Sequence, residues 1–248
     1  MAELCRLGRV TIEIGRVEAI FRYPVKSMAG ERLEHAKVGV HGIEGDRRLA
    51  LRRVQSGDGF PWLSATRLPD LLQFTPFHRD GEPGELVTHV RAPDGKEMAV
   101  FGEDLAAEIE RRHKAPVEMM HLRHGIFDET PISVITTDTI EEIGRLAGID
   151  AEMRRFRPNI VVRLERSAAF EEDEWLGGVL SFGGSDGPRV SVVMRDERCA
   201  MVNYHPDSGS AAPQVLKSIV QRNQNCAGVY ATVTHTGSLV VGQTVSLA

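Results

Sequence analysis

The 248-residue chain has too few cysteines for a disulfide framework: Cys5, Cys199 and Cys226 are odd in number. In a reducing compartment each is then a free thiol or a metal ligand. No apolar run approaches the roughly 20 residues that cross a bilayer. The opening MAELCRLGRVTIEIG lacks the apolar core of a secretory leader. Both absences point to a cytoplasmic protein with no membrane partner. The chain also lacks an excess of basic residues. Its net charge of −5 excludes a general nucleic-acid binder but allows a local basic pocket. No Cys-x-x-Cys or His-x-x-x-His offers a structural zinc site. No G-x-G-x-x-G or Walker loop offers a nucleotide cradle.

What the chain does have is strand signals. VTIEI (10–14) alternates apolar and polar residues, and VEAIFRYPV (17–25) reads as a second strand ended by Pro24. AKVGV (36–40) and RLALRRV (48–54) flank the turn 41–46. ELVTHV (85–90) and KEMAVF (96–101) form a hairpin about a Gly-containing turn. Later strands are expected at 159–164, 178–183, 189–194, 228–234 and 238–247, with His235-Thr236-Gly237 turning between the last two. Helices are few. EDLAAEIERRHK (103–114) carries an apolar stripe. Asp138 is placed to cap TIEEIGRLAG, with Glu141 completing a capping box and Gly148 stopping the helix. Pro213 starts PQVLKSIVQRN. Many short strands with few helices predict a barrel-centred, β-rich α+β fold. The charged, Pro/Gly-containing stretch around 113–131 is the expected boundary, dividing 10–124 from 125–248.

Arg198-Cys199 is the sharpest chemical signal. A thiolate, not a thiol, binds metals or attacks substrates, and a neighbouring arginine favours the thiolate. The alternative is a buried core cysteine. A cysteine hydrolase pairing Cys199 with His205 or His235 is a further possibility from residue types alone. Lys26 and Ser27 end a strand, where both are able to contact a phosphate or simply face water. Gly45-Asp46-Arg47-Arg48 is either an exposed charged turn or an anion site. In Phe156-Arg157-Pro158-Asn159-Ile160, proline restricts Arg157, and Asn159 either hydrogen-bonds a heterocycle edge or marks strand entry. Gly177-Gly178 and Gly183-Gly184 bracket a strand as turn residues.

In order and spacing, YPVKSMAG, GDRRLAL, LSATRLPDLL, DETPISVIT, FRPNIVV, EDEW, RCAMVNYHPDSG and VGQTVSL resemble the MOSC proteins, from about Val17 onward. Among these proteins the chain is similar to the mitochondrial amidoxime-reducing component and its bacterial counterparts. It implies a MOSC-type β-barrel (125–248), an associated N-terminal MOSC β-barrel module (10–124) and a few short helices. It also implies a molybdopterin-type molybdenum cofactor with a cysteine ligand. Cys199 matches that ligand and so the catalytic position. Lys26, Ser27, Arg47, Thr130, Arg157, Asn159 and Arg198 match positions that hold the pterin and its phosphate. Two residues depart from the pattern. Glu197 stands where a small residue or proline is usual, and Thr66 where the reductases tend to carry arginine.

The resemblance implies reduction of small N-hydroxylated substrates: amidoximes, hydroxylamines or N-hydroxylated bases. The chain shows no iron–sulfur cysteine cluster and no flavin fingerprint, so a separate electron-transfer protein is expected, a ferredoxin or a flavin reductase. The alternative is a non-catalytic carrier of molybdenum cofactor or sulfur, akin to the C-terminal part of cofactor sulfurases. The pyridoxal-phosphate-binding desulfurase domain of those sulfurases has no counterpart here.

Overall fold

The computed structural model describes residues 11–54, 57, 59–79, 86–150, 152–184 and 186–248. Cys5, Val10 and Glu85, each part of an expectation above, lie outside these residues. In chain order the elements are β1 (Ile12–Arg22), β2 (Glu31–Leu33), β3 (His35–Gly39), β4 (Gly42–Ile43), β5 (Leu49–Arg53), β6 (Thr75–Phe77), β7 (His89–Arg91), β8 (Glu97–Ala99) and α1 (Glu103–His113). They continue with β9 (Val117–His121), β10 (Ile132–Thr136), α2 (Thr137–Ala147), β11 (Ile160–Leu164), β12 (Val179–Phe182) and β13 (Arg189–Glu197). The last are α3 (Gln214–Asn223), β14 (Cys226–His235), β15 (Gly237–Val240) and β16 (Thr244–Leu247).

Seven strands close a barrel in the order β11-β10-β14-β13-β12-β16-β1, and β1 returns to pair with β11. The pairings are antiparallel except β10–β11, whose parallel register needs the crossover that α2 provides. Alternation along each strand sorts side chains between two cores. Val134, Ile160, Val162, Val192 and Val229 fill the barrel. Ile135, Val161 and Phe21 point outward and are covered by Ile140 and Ile143 of α2 and by Val215 and Ile219 of α3. The β-rich α+β barrel expected from the strand pattern is what forms.

β1 lies within 10–124, yet it pairs on both sides with strands of 125–248. The rest of the N-terminal stretch builds a third core from the β5–β9 pair, the β6-β7-β8 sheet and α1, around Leu49, Leu51, Leu63, Leu71, Phe74 and Ile109. The small β15-β3-β4 sheet adds Ala36, Val38, Ile43 and Leu239 to the barrel core.

Local expectations are corrected in three places. The two N-terminal strands are one: Gly15 does not end the strand but allows a close approach, since a Cβ there would lie 2.1 Å from Arg163 O. α2 starts two residues earlier than a cap at Asp138 implies, because the Thr136 hydroxyl accepts from Thr139 N and takes the cap. The 238–247 run is two strands, β15 and β16, split by a turn with Gly242 at φ +86°. Gly148, at φ +67°, does end α2. Among the described residues no helix is long and apolar enough to cross a membrane.

Candidate functional site

The segment after β1, the turn before β5, the 60–66 loop, the 155–157 segment and the end of β13 converge on one cavity of about 450 Å³. It contains Cys199, Lys26, Ser27, Arg47, Arg157 and Arg198. The Cys199 side chain is exposed rather than packed in hydrocarbon. Six cationic side chains and four carboxylates line the cavity, so a chain of net negative charge presents a locally positive site.

The backbone at this site is unusual. Ser27, Arg47 and Arg157 adopt φ of +66°, +49° and +49°, a region that residues with a Cβ visit rarely. Such conformations cost energy and persist only where surrounding structure enforces them, as at functional sites. Here the enforcement is visible. Arg47 N donates to Tyr23 O, while its guanidinium pairs with fully buried Asp46 and donates to Asn159 Oδ1 and Arg157 O. Arg157 Nη1 donates to Met28 O at 2.7 Å, and its guanidinium lies 4.2 Å from the Tyr23 ring centroid. Arg198 donates to Ala227 O and Phe156 O and lies 2.9 Å from Asp196 Oδ2.

Lys26 is buried and pairs with Asp128, Nζ to Oδ1, at 2.6 Å. Burial holds the Lys26 ammonium below its usual range, with Asp128 opposing that shift. Asp196 is buried, lines the cavity and accepts from Ser133 Oγ at 3.0 Å. Desolvation pushes its carboxyl up to about 6, against the pull of Arg198. Burial likewise raises the Tyr230 hydroxyl above the ordinary tyrosine range.

Two of the sequence-derived positions lie elsewhere. Asn159 is buried beneath the site, where Oδ1 accepts from Arg47 Nη1 and Ser133 N and Nδ2 donates to Phe21 O. It braces the arginine rather than lining the cavity. Thr130 donates to Ala231 O and does not line the cavity either. Neither His205 nor His235 joins Cys199 there; His205 Nδ1 accepts from Asp207 N within its own loop. Gly183-Gly184-Ser185-Asp186-Gly187 has the spacing of a nucleophile elbow. It joins antiparallel β12 and β13, whereas an elbow joins a strand to a helix, and Ser185 lies outside the described residues.

Other lining residues carried no signal of their own in the sequence. Arg155 precedes the FRPN motif, and Asp128 and Ser133 flank Thr130. Asp196 reads in sequence only as a charge opposing Arg195 and Arg198. Thr66 also lines the cavity, with its hydroxyl 2.6 Å from Ser64 Oγ, so a small polar pair stands there.

These residues fit a phosphate-bearing pterin with a thiolate-ligated metal. Buried Arg155 lines the cavity, and its Nε has no hydrogen-bond partner. The counterion of Lys26 is an exposed carboxylate that an incoming anion can displace. Arginine forks suit phosphate, and an exposed sulfur suits a soft metal centre.

Known proteins give the same frame. The MOSC domain model matches residues 101–246, and the MOSC N-terminal beta barrel domain model matches 14–130. Among solved structures, the YuaD protein of Bacillus subtilis aligns with a TM-score of 0.52 at 13% identity, over 96% of this chain and 97% of that one. YiiM of Geobacillus stearothermophilus aligns with a TM-score of 0.37 at 19% identity, over 48% of this chain and 54% of that one. No curated protein matches the chain. The barrel, the cysteine-bearing cationic cavity and the two domain matches lead to one statement: this chain belongs to the MOSC domain family, whose domains are generally associated with molybdenum cofactor.

Proposed function

We propose that the chain is a molybdenum cofactor-dependent reductase of small N-hydroxylated compounds such as amidoximes and hydroxylamines, with Cys199 as the metal ligand. One observation carries this reading: exposed Cys199 opens onto the same cavity as Lys26, Arg47, Arg157 and Arg198, which come from separate stretches of the chain. The bound cofactor supplies the two-electron redox chemistry. The chain's residues supply the rest.

Lys26, Ser27, Arg47 and Arg155 bind the phosphate end, where charge-assisted hydrogen bonds are strong. Arg157 and Arg198, fixed by backbone carbonyls, hold the cationic wall in place. Phe60, Met194 and Met201 form an apolar side of the same cavity that limits water around a bound substrate. Conversion of an N-hydroxyl group to an amine and water consumes two electrons and two protons. Asp196, with Ser133 hydrogen-bonded to it, is the cavity carboxyl able to hold a proton near neutrality. A separate ferredoxin or flavin reductase delivers the electrons, in a reducing cytoplasm that keeps Cys199 out of disulfides.

The second reading, a carrier of cofactor or sulfur, draws support from the exposure of Cys199, which a partner protein can reach. Protein from a host that makes molybdenum cofactor, assayed on benzamidoxime and hydroxylamine with a chemical reductant, separates the two. Stoichiometric molybdenum with turnover supports the reductase. Stoichiometric molybdenum without turnover on any N-hydroxylated substrate supports the carrier.

A further inference from the structure

A second cavity of about 340 Å³ lies where the N-terminal core meets the barrel. The 29–30 segment, Leu72, Gln73 and Thr75, the 91–95 turn, Arg154 and the 206–207 segment surround it, and it shares only Arg157 with the cavity of Cys199. Tyr23 also lines it. This tyrosine is 1% exposed, and its hydroxyl has no hydrogen-bond partner. Arg157 Nη2 is likewise buried without a partner.

Buried polar groups are nearly always satisfied, and leaving one unpaired is costly. Tyr23 and Arg157 both line this cavity, and each carries a buried donor without an acceptor. Burial raises the Tyr23 hydroxyl above its usual range, so it remains protonated and able to donate. The nearby carboxylates are already committed: Asp207 and Glu152 to Arg154, Glu97 to Arg91. Leu72, Ala92 and Pro93 give the wall an apolar side, next to the polar side chains of Gln73 and Thr75. Gly30 lies directly against the Tyr23 ring, since a Cβ there would lie 2.3 Å from Tyr23 Cε1.

We propose that this second cavity binds a small organic oxyanion, a carboxylate or phosphate monoester. Its oxygens accept hydrogen bonds from Tyr23 Oη and Arg157 Nη2, and its carbon skeleton lies on Leu72, Ala92 and Pro93. The site is separate from the cofactor cavity and does not depend on the cofactor reading. Because Arg157 stands in both walls, an occupant here engages the same guanidinium that faces the cofactor cavity.

The test uses the full chain labelled with 13C-tyrosine, which carries three tyrosines, the others being Tyr204 and Tyr230. Benzoate, phenyl phosphate and inorganic phosphate are titrated at constant ionic strength. Benzoate or phenyl phosphate should move the Tyr23 signal saturably. Two variants follow the same titration. Tyr23→Phe removes the hydroxyl, with binding read by calorimetry. Thr75→Phe, at an exposed strand position that lines the cavity, introduces a large side chain beside the bound anion. Each should weaken binding roughly tenfold or more. The proposal is overturned if no probe moves the Tyr23 signal, if inorganic phosphate binds as well as the organic anions, or if Thr75→Phe leaves the affinity unchanged. Molybdenum content of the same preparation reads the cofactor proposal independently.

Discussion

Lys26 and Asp128 meet at 2.6 Å in the wall of the Cys199 cavity, and the two ends differ in burial: the lysine is 6% exposed and the aspartate 64%. A buried ammonium is thus held by a largely exposed carboxylate. An entering phosphate competes with that carboxylate for Lys26. Asp128→Asn should therefore retain cofactor several-fold more tightly through dialysis, read as molybdenum remaining per chain. Equal or weaker retention would show that Asp128 does not guard the site.

Asp196 should leave a pH signature. Its carboxyl ordinarily titrates near 3.8 and is raised to about 6 by burial. The folded state therefore favours the protonated form. The stability linked to this group is fully present below pH 4 and is lost as pH rises towards 6. The loss is on the order of 3 kcal/mol. Asp196→Asn cannot ionise, so its stability relative to wild type should climb between pH 4 and pH 7 in urea unfolding. A flat difference across that range would place the wild-type carboxyl in an ordinary, hydrated environment.

Arg47 and Lys26 both face the cavity, but they should fail differently. Arg47 is the counterion of Asp46, which is fully buried. Arg47→Met strands that carboxylate and should cost about 3 kcal/mol of stability along with cofactor binding. Lys26→Met leaves behind only a carboxylate that is already exposed, so cofactor binding should fall with little change in stability. Calorimetric melting of the two variants decides the matter, and equal losses of stability would refute the division.

Gly15→Ala tests how the barrel closes. A methyl group there would meet Arg163 O at 2.1 Å, inside the β1–β11 pairing. The strands must separate, at a cost of about 2 kcal/mol or more. Unchanged stability in denaturant melts would mean that the seam is not close-packed.

The fold was legible because alternation is a local property. Val134, Ile160 and Val192 announce strands, and Gly148 announces a helix end. Cap choice was not legible. Thr136 and Asp138 are both competent caps, and only the tertiary placement of Thr136, whose hydroxyl also donates to buried Glu172, decides between them. That one strand runs through Gly15 was not legible for the same reason, since a close approach to Arg163 is a long-range fact. At the site, Cys199, Lys26 and Arg47 were recognisable from motif order. That Asn159 braces Arg47 from beneath, and that Arg155, Asp196 and Tyr230 face the cavity, followed only from the way distant segments fold together. The left-handed backbone at Ser27, Arg47 and Arg157 had no sequence signal either, because glycine, its usual marker, is absent at all three positions.

The most direct measurement compares wild-type protein and Cys199→Ser, both from a cofactor-producing host, for molybdenum content, thermal stability and reduction of benzamidoxime. The exposed thiol contributes little to packing, so both proteins should melt alike, while the variant loses thiolate ligation of the metal and turnover. Full reductase activity in Cys199→Ser, with molybdenum bound as in wild type, would contradict the ligand role and the function built on it.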